Sequence, residues 1–256
     1  MGGRGSKDKS AFLVKSIADH AKDINCMALS EDQSVLVTGS EDCTAKMYDL
    51  KDKDYECLGT FEGHTSYITC ITIADTFTFT GSNDTTIRKW DMTTCLCVME
   101  EHDAPVMNLL IVNRLMYSCS QDCTARCWVR EFGDCTNVYR DATDSLVVIH
   151  VKNGLLFTAG GDSVIRVYDI KSGALKETFE GHSASVQCLA IAGNRMYTAG
   201  YDNTLKIWNI ESLRMEKNSM LDDEDLEGLP LHNHQPLLNN RINKYDDVDV
   251  NSAPAM

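Results

Sequence analysis

The sequence predicts an all-β chain arranged as a radial array of about five four-stranded antiparallel sheets, and three observations carry that expectation. Five times an Asp (Asp42, Asp84, Asp122, Asp162, Asp202) follows a Ser or Thr by four residues (Thr38, Thr80, Ser118, Thr158, Thr198) and precedes an aromatic by six (Tyr48, Trp90, Trp128, Tyr168, Trp208). The aromatics lie 42, 38, 40 and 40 residues apart. The intervening runs are short, β-branched and aromatic, and are broken by Gly, Asn and Asp, as strands separated by tight turns are. A period near 40 marks units that cannot bury their apolar faces alone and must stack on copies of themselves.

Residues 12–17 (FLVKSI) precede His20 as a fourth strand precedes the corresponding position in later units, so they are expected to be a spare strand that pairs with the last sheet and closes the array. The unit at 64–91 reads most clearly: YITCITI, FTFT and TTIRKW are three strands, Gly81-Ser82-Asn83-Asp84 is a turn, and a fourth strand follows. The units starting near His20, His102, Asp141 and His182 repeat the plan. Four-stranded sheets set radially make a β-propeller, for which five blades fall within the usual four to eight. A closed monomer, an open arc and a dimer that completes the circle are the three ways to satisfy the count. Residues 1–10 read as a flexible leader, 11–213 as the propeller, and 214–256, where the register stops and Asp222, Asp223, Glu224, Asp225 and Glu227 gather, as a disordered acidic tail.

Gly63-His64 with Trp90-Asp91, and Gly181-His182 with Trp208-Asn209, resemble the marks of the WD-repeat family, and the resemblance covers about four-fifths of the chain. It implies buried hydrogen-bonded tetrads: His20, Thr38, Asp42 and Tyr48; His64, Thr80, Asp84 and Trp90; His102, Ser118, Asp122 and Trp128; His182, Thr198, Asp202 and Trp208. In the fourth unit Asp141 stands for the His, so that blade is expected to be looser. The resemblance also implies a partner-binding face at the positions three after the His and one before the Asp. These are Asp23, Tyr67, Pro105, Asp144 and Ser185, with Glu41, Asn83, Gln121, Gly161 and Tyr201; Tyr67 and Tyr201 are the candidate anchors.

His, Ser and Asp together suggest a hydrolase triad, but a set repeated along the chain is a building block, whereas a nucleophile is normally unique. No catalytic residue is assigned. Ala159-Gly160-Gly161-Asp162 lacks the Gly-Lys-Ser/Thr ending of a phosphate loop, and no cofactor is implied. Among 11 cysteines, Cys119, Cys123 and Cys127 are spaced by four and Cys95 and Cys97 by two, which is not a zinc-ribbon spacing. Cys26, Cys70 and Cys188 recur in first strands, where a buried thiol serves as a small apolar group. No metal is expected, and an odd count with no secretory leader points to a reducing, cytoplasmic compartment.

A formal net charge of −14 with no basic, aromatic-interleaved stretch argues against nucleic acid and favours proteins or peptides with basic segments. The row Lys46, Arg88, Arg126, Arg166 and Lys206 is read as stems packed between blades. The longest apolar stretches are strand-sized. Two terminal signals remain. Met1-Gly2-Gly3-Arg4-Gly5-Ser6 fits N-acylation at Gly2, with Lys7 and Lys9 adding attraction to anionic lipid. In the tail, LEGLPLHNHQPLL reads as a linear motif, and its His232 and His234 alone make no metal site. The expected function is a non-enzymatic interaction scaffold or adaptor for substrate recognition or signalling assembly; the alternative is an N-acylated membrane-peripheral regulator.

Overall fold

The computed structural model describes residues 12–213, so Gly2, the leader and the acidic tail lie outside the described residues. Among the described residues, nineteen strands form five antiparallel sheets, each a meander in chain order. The first comprises β1 (Ile24–Leu29), β2 (Val35–Ser40), β3 (Ala45–Asp49) and β4 (Cys57–Phe61). The second comprises β5 (Ile68–Ala74), β6 (Phe77–Ser82), β7 (Ile87–Asp91) and β8 (Thr94–Met99). The third holds β9 (Val106–Val112), β10 (Leu115–Ser120), β11 (Ala125–Val129) and β12 (Asp134–Tyr139). The fourth holds β13 (Leu146–Lys152), β14 (Leu155–Gly160), β15 (Ile165–Asp169) and β16 (Leu175–Phe179). The fifth has three described strands, β17 (Val186–Ala192), β18 (Arg195–Gly200) and β19 (Leu205–Asn209). No helix among the described residues is long and apolar enough to cross a membrane.

First strands touch in succession, β1 to β5, β5 to β9, β9 to β13 and β13 to β17, which places them on the inner side of a curved array. The cores lie between sheets, not within them. Val37, Ala45, Met47 and Phe61 of the first sheet enclose Ile68 and Trp90 of the second; Cys70, Phe79, Ile87 and Met99 of the second pack with Val106, Leu109, Met116 and Trp128 of the third. From the second blade on, the register aromatic therefore faces the preceding blade: Phe61 meets Trp90 edge-on at 5.4 Å, Tyr139 meets Tyr168 at 4.9 Å and Phe179 meets Trp208 at 5.5 Å between ring centroids. A bulge just before the aromatic, at Met47/Tyr48, Lys89/Trp90, Cys127/Trp128 and Val167/Tyr168, redirects that side chain. Close inner packing needs a small residue in the second strand. A Cβ on Gly81 would lie 2.6 Å from Cys70 Sγ and 2.8 Å from Val106 Cγ1.

The expected closure by residues 12–17 does not occur. The segment forms no strand, and Phe12, Leu13 and Val14 are exposed. A strand needs an edge about 4.8 Å away. FLVKSI instead runs beside the first blade, where Lys15 Nζ donates to the Asp54 carbonyl, while the β19 edge lies at the opposite end of the array. Among the described residues the result is an open arc whose two end sheets have exposed outer faces. The first blade exposes Ile24, Met27 and Leu29 beside a 300 Å³ recess reaching Ile17, Leu36 and Tyr48; the fifth exposes Cys188, Leu205 and Ile207.

Candidate functional site

Four of the blades assemble the same polar network. In the second, His64 Nδ1 lies 2.7 Å from Asp84 Oδ2, His64 Nε2 lies 2.7 Å from Thr80 Oγ1, and Trp90 Nε1 donates to Thr80 Oγ1 at 2.9 Å. The donors order themselves: Nδ1–H goes to the carboxylate, leaving Nε2 to accept the Thr hydroxyl, whose oxygen accepts the indole N–H. The third blade repeats this with His102, Asp122, Ser118 and Trp128 at 2.6, 2.7 and 2.8 Å. The fifth repeats it with His182, Asp202, Thr198 and Trp208 at 2.7, 2.8 and 2.8 Å. In the first, His20 lies 2.8 Å from both Asp42 and Thr38, with the Tyr48 hydroxyl against Thr38 and Asp19. Thr80 and Ser118 are fully buried with their oxygens engaged, so neither is open to attack a substrate.

The carboxylate also shapes the turn above it. Asp84 Oδ1 accepts the Thr86 amide at 3.0 Å and Oδ2 the Thr65 amide at 2.9 Å. The residue after each Asp, namely Cys43, Thr85, Cys123, Ser163 and Asn203, has a left-handed φ between 61° and 74°. Non-glycine residues adopt that conformation at a cost of about 1–2 kcal/mol, which the Asp hydrogen bonds offset. Burial pushes the Asp84 and Asp122 carboxyls up, but donors from His64 and His102 and neighbouring Thr groups outweigh it and hold both well below the usual range.

The fourth blade departs from the expectation by one residue. In the complete tetrads of the second, third and fifth blades the His lies 20 residues before the Asp, and the same count from Asp162 reaches Ala142, not Asp141. The Thr143 amide accordingly donates to Asp162 Oδ2 at 3.0 Å, as Thr65 does to Asp84. Arg166 replaces the missing imidazole, its Nη1 2.7 Å from Asp162 Oδ2 with both side chains under 10% exposed, while Asp141 reaches the Tyr168 hydroxyl. The expected loose blade has a strongly buried centre, since every residue of β14 and β15 is buried.

Above the tetrads, eight of the ten candidate contact residues are tied two by two into a rim. Backbone bonds join them in pairs: Glu41 N to Asp23 O at 2.9 Å, Asn83 N to Tyr67 O at 2.9 Å, Gln121 N to Pro105 O at 3.0 Å and Tyr201 N to Ser185 O at 2.9 Å. Gly161 N pairs with Ser145 O at 2.7 Å, so Ser145 holds the place assigned to Asp144, whose carboxylate instead covers Gly161. Tyr67 and Tyr201 are exposed by 43% and 72%, and Lys22 Nζ lies 5.9 Å from the Tyr67 ring centroid. Sequence reasoning missed Lys22 and Ser145, and it placed Arg166 in the basic row without pairing it to Asp162; the 20-residue count would have found Ser145. Within the basic row, Lys46 donates to Thr60, Arg126 pairs with Glu101 at 2.6 Å, and Arg166 pairs with Asp162. Among the described residues no His, Cys, Asp or Glu cluster could hold a metal ion.

The family described as WD domain, G-beta repeat matches residues 11–49, 55–91, 93–129 and 173–209, more than half of the chain. Mitochondrial division protein 1 of Schizosaccharomyces pombe is 39% identical over 80 residues, 31% of this chain and 12% of that protein. Nuclear distribution protein PAC1 of Arthroderma otae is 27% identical over 177 residues, 56% of this chain and 38% of that protein. The chain therefore spans well under half the length of these relatives. Among solved structures, the designed Ika8 protein superposes with a TM-score of 0.70 at 23% identity, over 75% of this chain and 59% of that one. The WD40 β-propeller domain of Doa1 does so at 0.64 and 22%, over 73% and 65%. These likenesses establish the fold.

Proposed function

The chain belongs to the WD-repeat family, and from that premise we propose that it is a non-enzymatic scaffold or adaptor that gathers protein partners on the rim above its tetrads. One observation carries the reading: four blades set the same buried network beneath a rim pair that differs from blade to blade. Asp23/Glu41, Tyr67/Asn83, Pro105/Gln121 and Ser185/Tyr201 occupy equivalent places with different chemistry. A repeated frame with a varied surface suits recognition, and the exposed aromatics Tyr67 and Tyr201 suit hot spots. Asp23, Glu41 and Asp144 favour partner segments bearing Lys or Arg. NRLMYSCSQDCTARCW, LLFTAGGD and RMYTAGYDNTLKIW also resemble WD repeat-containing protein 86, which supports an adaptor role in substrate recognition or signalling assembly. A reducing cytoplasmic setting fits the odd cysteine count.

Proximity labelling with wild type and a Tyr67→Ala/Tyr201→Ala variant tests the reading: partners should be lost while the melting temperature holds. An unchanged partner set would place recognition elsewhere. The Gly2 pattern favours a second reading, a membrane-peripheral regulator, for which Gly2→Ala should abolish membrane partition. Oligomeric state belongs to the proposal as well. The two uncovered end faces are the two halves of the joint that recurs between blades, so a second copy is the occupant they suit.

A further inference from the structure

On the side opposite the rim, the joint between the first two blades holds a groove of about 710 Å³. Val35, Met47, Leu58, Ile73 and Met92 form its floor, with Leu58 and Met92 about half exposed. Glu31, Asp32, Asp75 and Asp91 edge it. Ser30 and Ser34 hydroxyls hold the Asp32 carboxyl down to about 2, so that edge is charged at any physiological pH. Lys51, 3.8 Å from Asp32, and Arg130, 2.8 Å from Asp75, are the cations paired there.

The next joint shows what such a place accepts. Between the second and third blades the corresponding recess is about 270 Å³, and the chain fills it with its own cations. Lys89 Nζ sits 4.3 Å above the centre of the Phe77 ring and donates to the Glu131 carbonyl at 3.1 Å, and Arg130 reaches back to Asp75. In the first joint the same register positions carry Met47, one before the aromatic as Lys89 is, and Met92, two after it as Arg130 is. Both internal cations are replaced by methionine, and the acidic edge remains. Apolar floor and anionic edge are complementary to a side chain pair of opposite character.

We propose that this groove docks an extended segment of a partner protein in which Lys or Arg alternates with Leu or Met, the aliphatic side chain lying on Met47, Leu58 and Met92 and the cation between Glu31 and Asp91. The inference rests on the scaffold reading only in that its ligand is a protein segment, and it uses a surface separate from the rim.

The test uses the full chain and fluorescein-labelled peptides KLKMK, KSKSK and ELEME, read by anisotropy. KLKMK should bind saturably and at least tenfold more tightly than either other peptide. Glu31→Lys with Asp91→Lys should weaken it at least tenfold, and Leu58→Ser with Met92→Ser should reduce it to the KSKSK level. Tyr67→Ala with Tyr201→Ala should leave it unchanged, so groove and rim can fail separately. With methyl-labelled Met on the wild-type chain, KLKMK should shift the Met47 and Met92 resonances and spare buried Met116. Equal binding of KLKMK and KSKSK, indifference to the charge-reversed pair, or unmoved Met47 and Met92 methyls would each overturn the proposal.

Discussion

A single oxygen holds each tetrad together. Thr80 Oγ1 gives its proton to His64 Nε2 and receives that of Trp90 Nε1, so Thr80→Val strands two buried groups at once. At about 1–3 kcal/mol per stranded group, the variant should lose several degrees in melting temperature, whereas Thr80→Ser should lose far less. The carboxylates add a pH dependence whose sign is fixed. Asp84 and Asp122 titrate lower folded than unfolded, so their stabilisation is complete above the unfolded value near 3.9 and disappears as pH falls through the lower folded values. Melting followed by circular dichroism should stay flat from pH 7 to about 5 and then fall steeply, with Asp84→Asn less stable at pH 7 and less steep in acid. These networks were legible in the sequence because their spacing repeats; the one at Asp162 was not, because a Lys or Arg stands four residues after every register Asp and nothing in the sequence marks Arg166 as the one that pairs with its carboxylate.

Blades differ in what sits at equivalent positions, and the differences have measurable weight. Gly81 lets the second and third sheets approach, so Gly81→Ala should cost about 1–3 kcal/mol through overpacking against Cys70 and Val106. In the fourth blade, removing one member of a buried ion pair leaves the other uncompensated, at a cost of about 3 kcal/mol. Arg166→Met should therefore destabilise the chain, and adding Ala142→His to that variant should recover much of the loss by rebuilding the imidazole contact to Asp162. Hydrogen exchange should be as slow in β14 and β15 as in β6 and β7, and fastest in β17 and β19, whose outer faces are bare. Strand order and turns were readable from alternation and from Gly-Asn-Asp punctuation. The position of residues 12–17 was not, since whether a strand-like segment pairs depends on an edge elsewhere in the molecule.

At the scale of the molecule, the arc leaves Met27 and Leu29 at one end and Leu205 and Ile207 at the other open to solvent. Light scattering should detect association that rises with concentration, and Ile207→Glu should suppress it; a monomer at all concentrations would show that these faces remain bare or are covered within one chain. The number of repeats was countable from sequence, whereas closure was not, because it depends on small angles between sheets that no residue pattern records. One consequence follows from where the apolar clusters sit. Each straddles two neighbouring sheets, so the physical quantum of this protein is out of phase with its sequence repeat: it runs from the middle of one blade to the middle of the next. Inserting or deleting a unit leaves the number of bare ends unchanged, so the array can grow or shrink by whole repeats without redesigning any surface, provided the seam it cuts is one that the next repeat can mend.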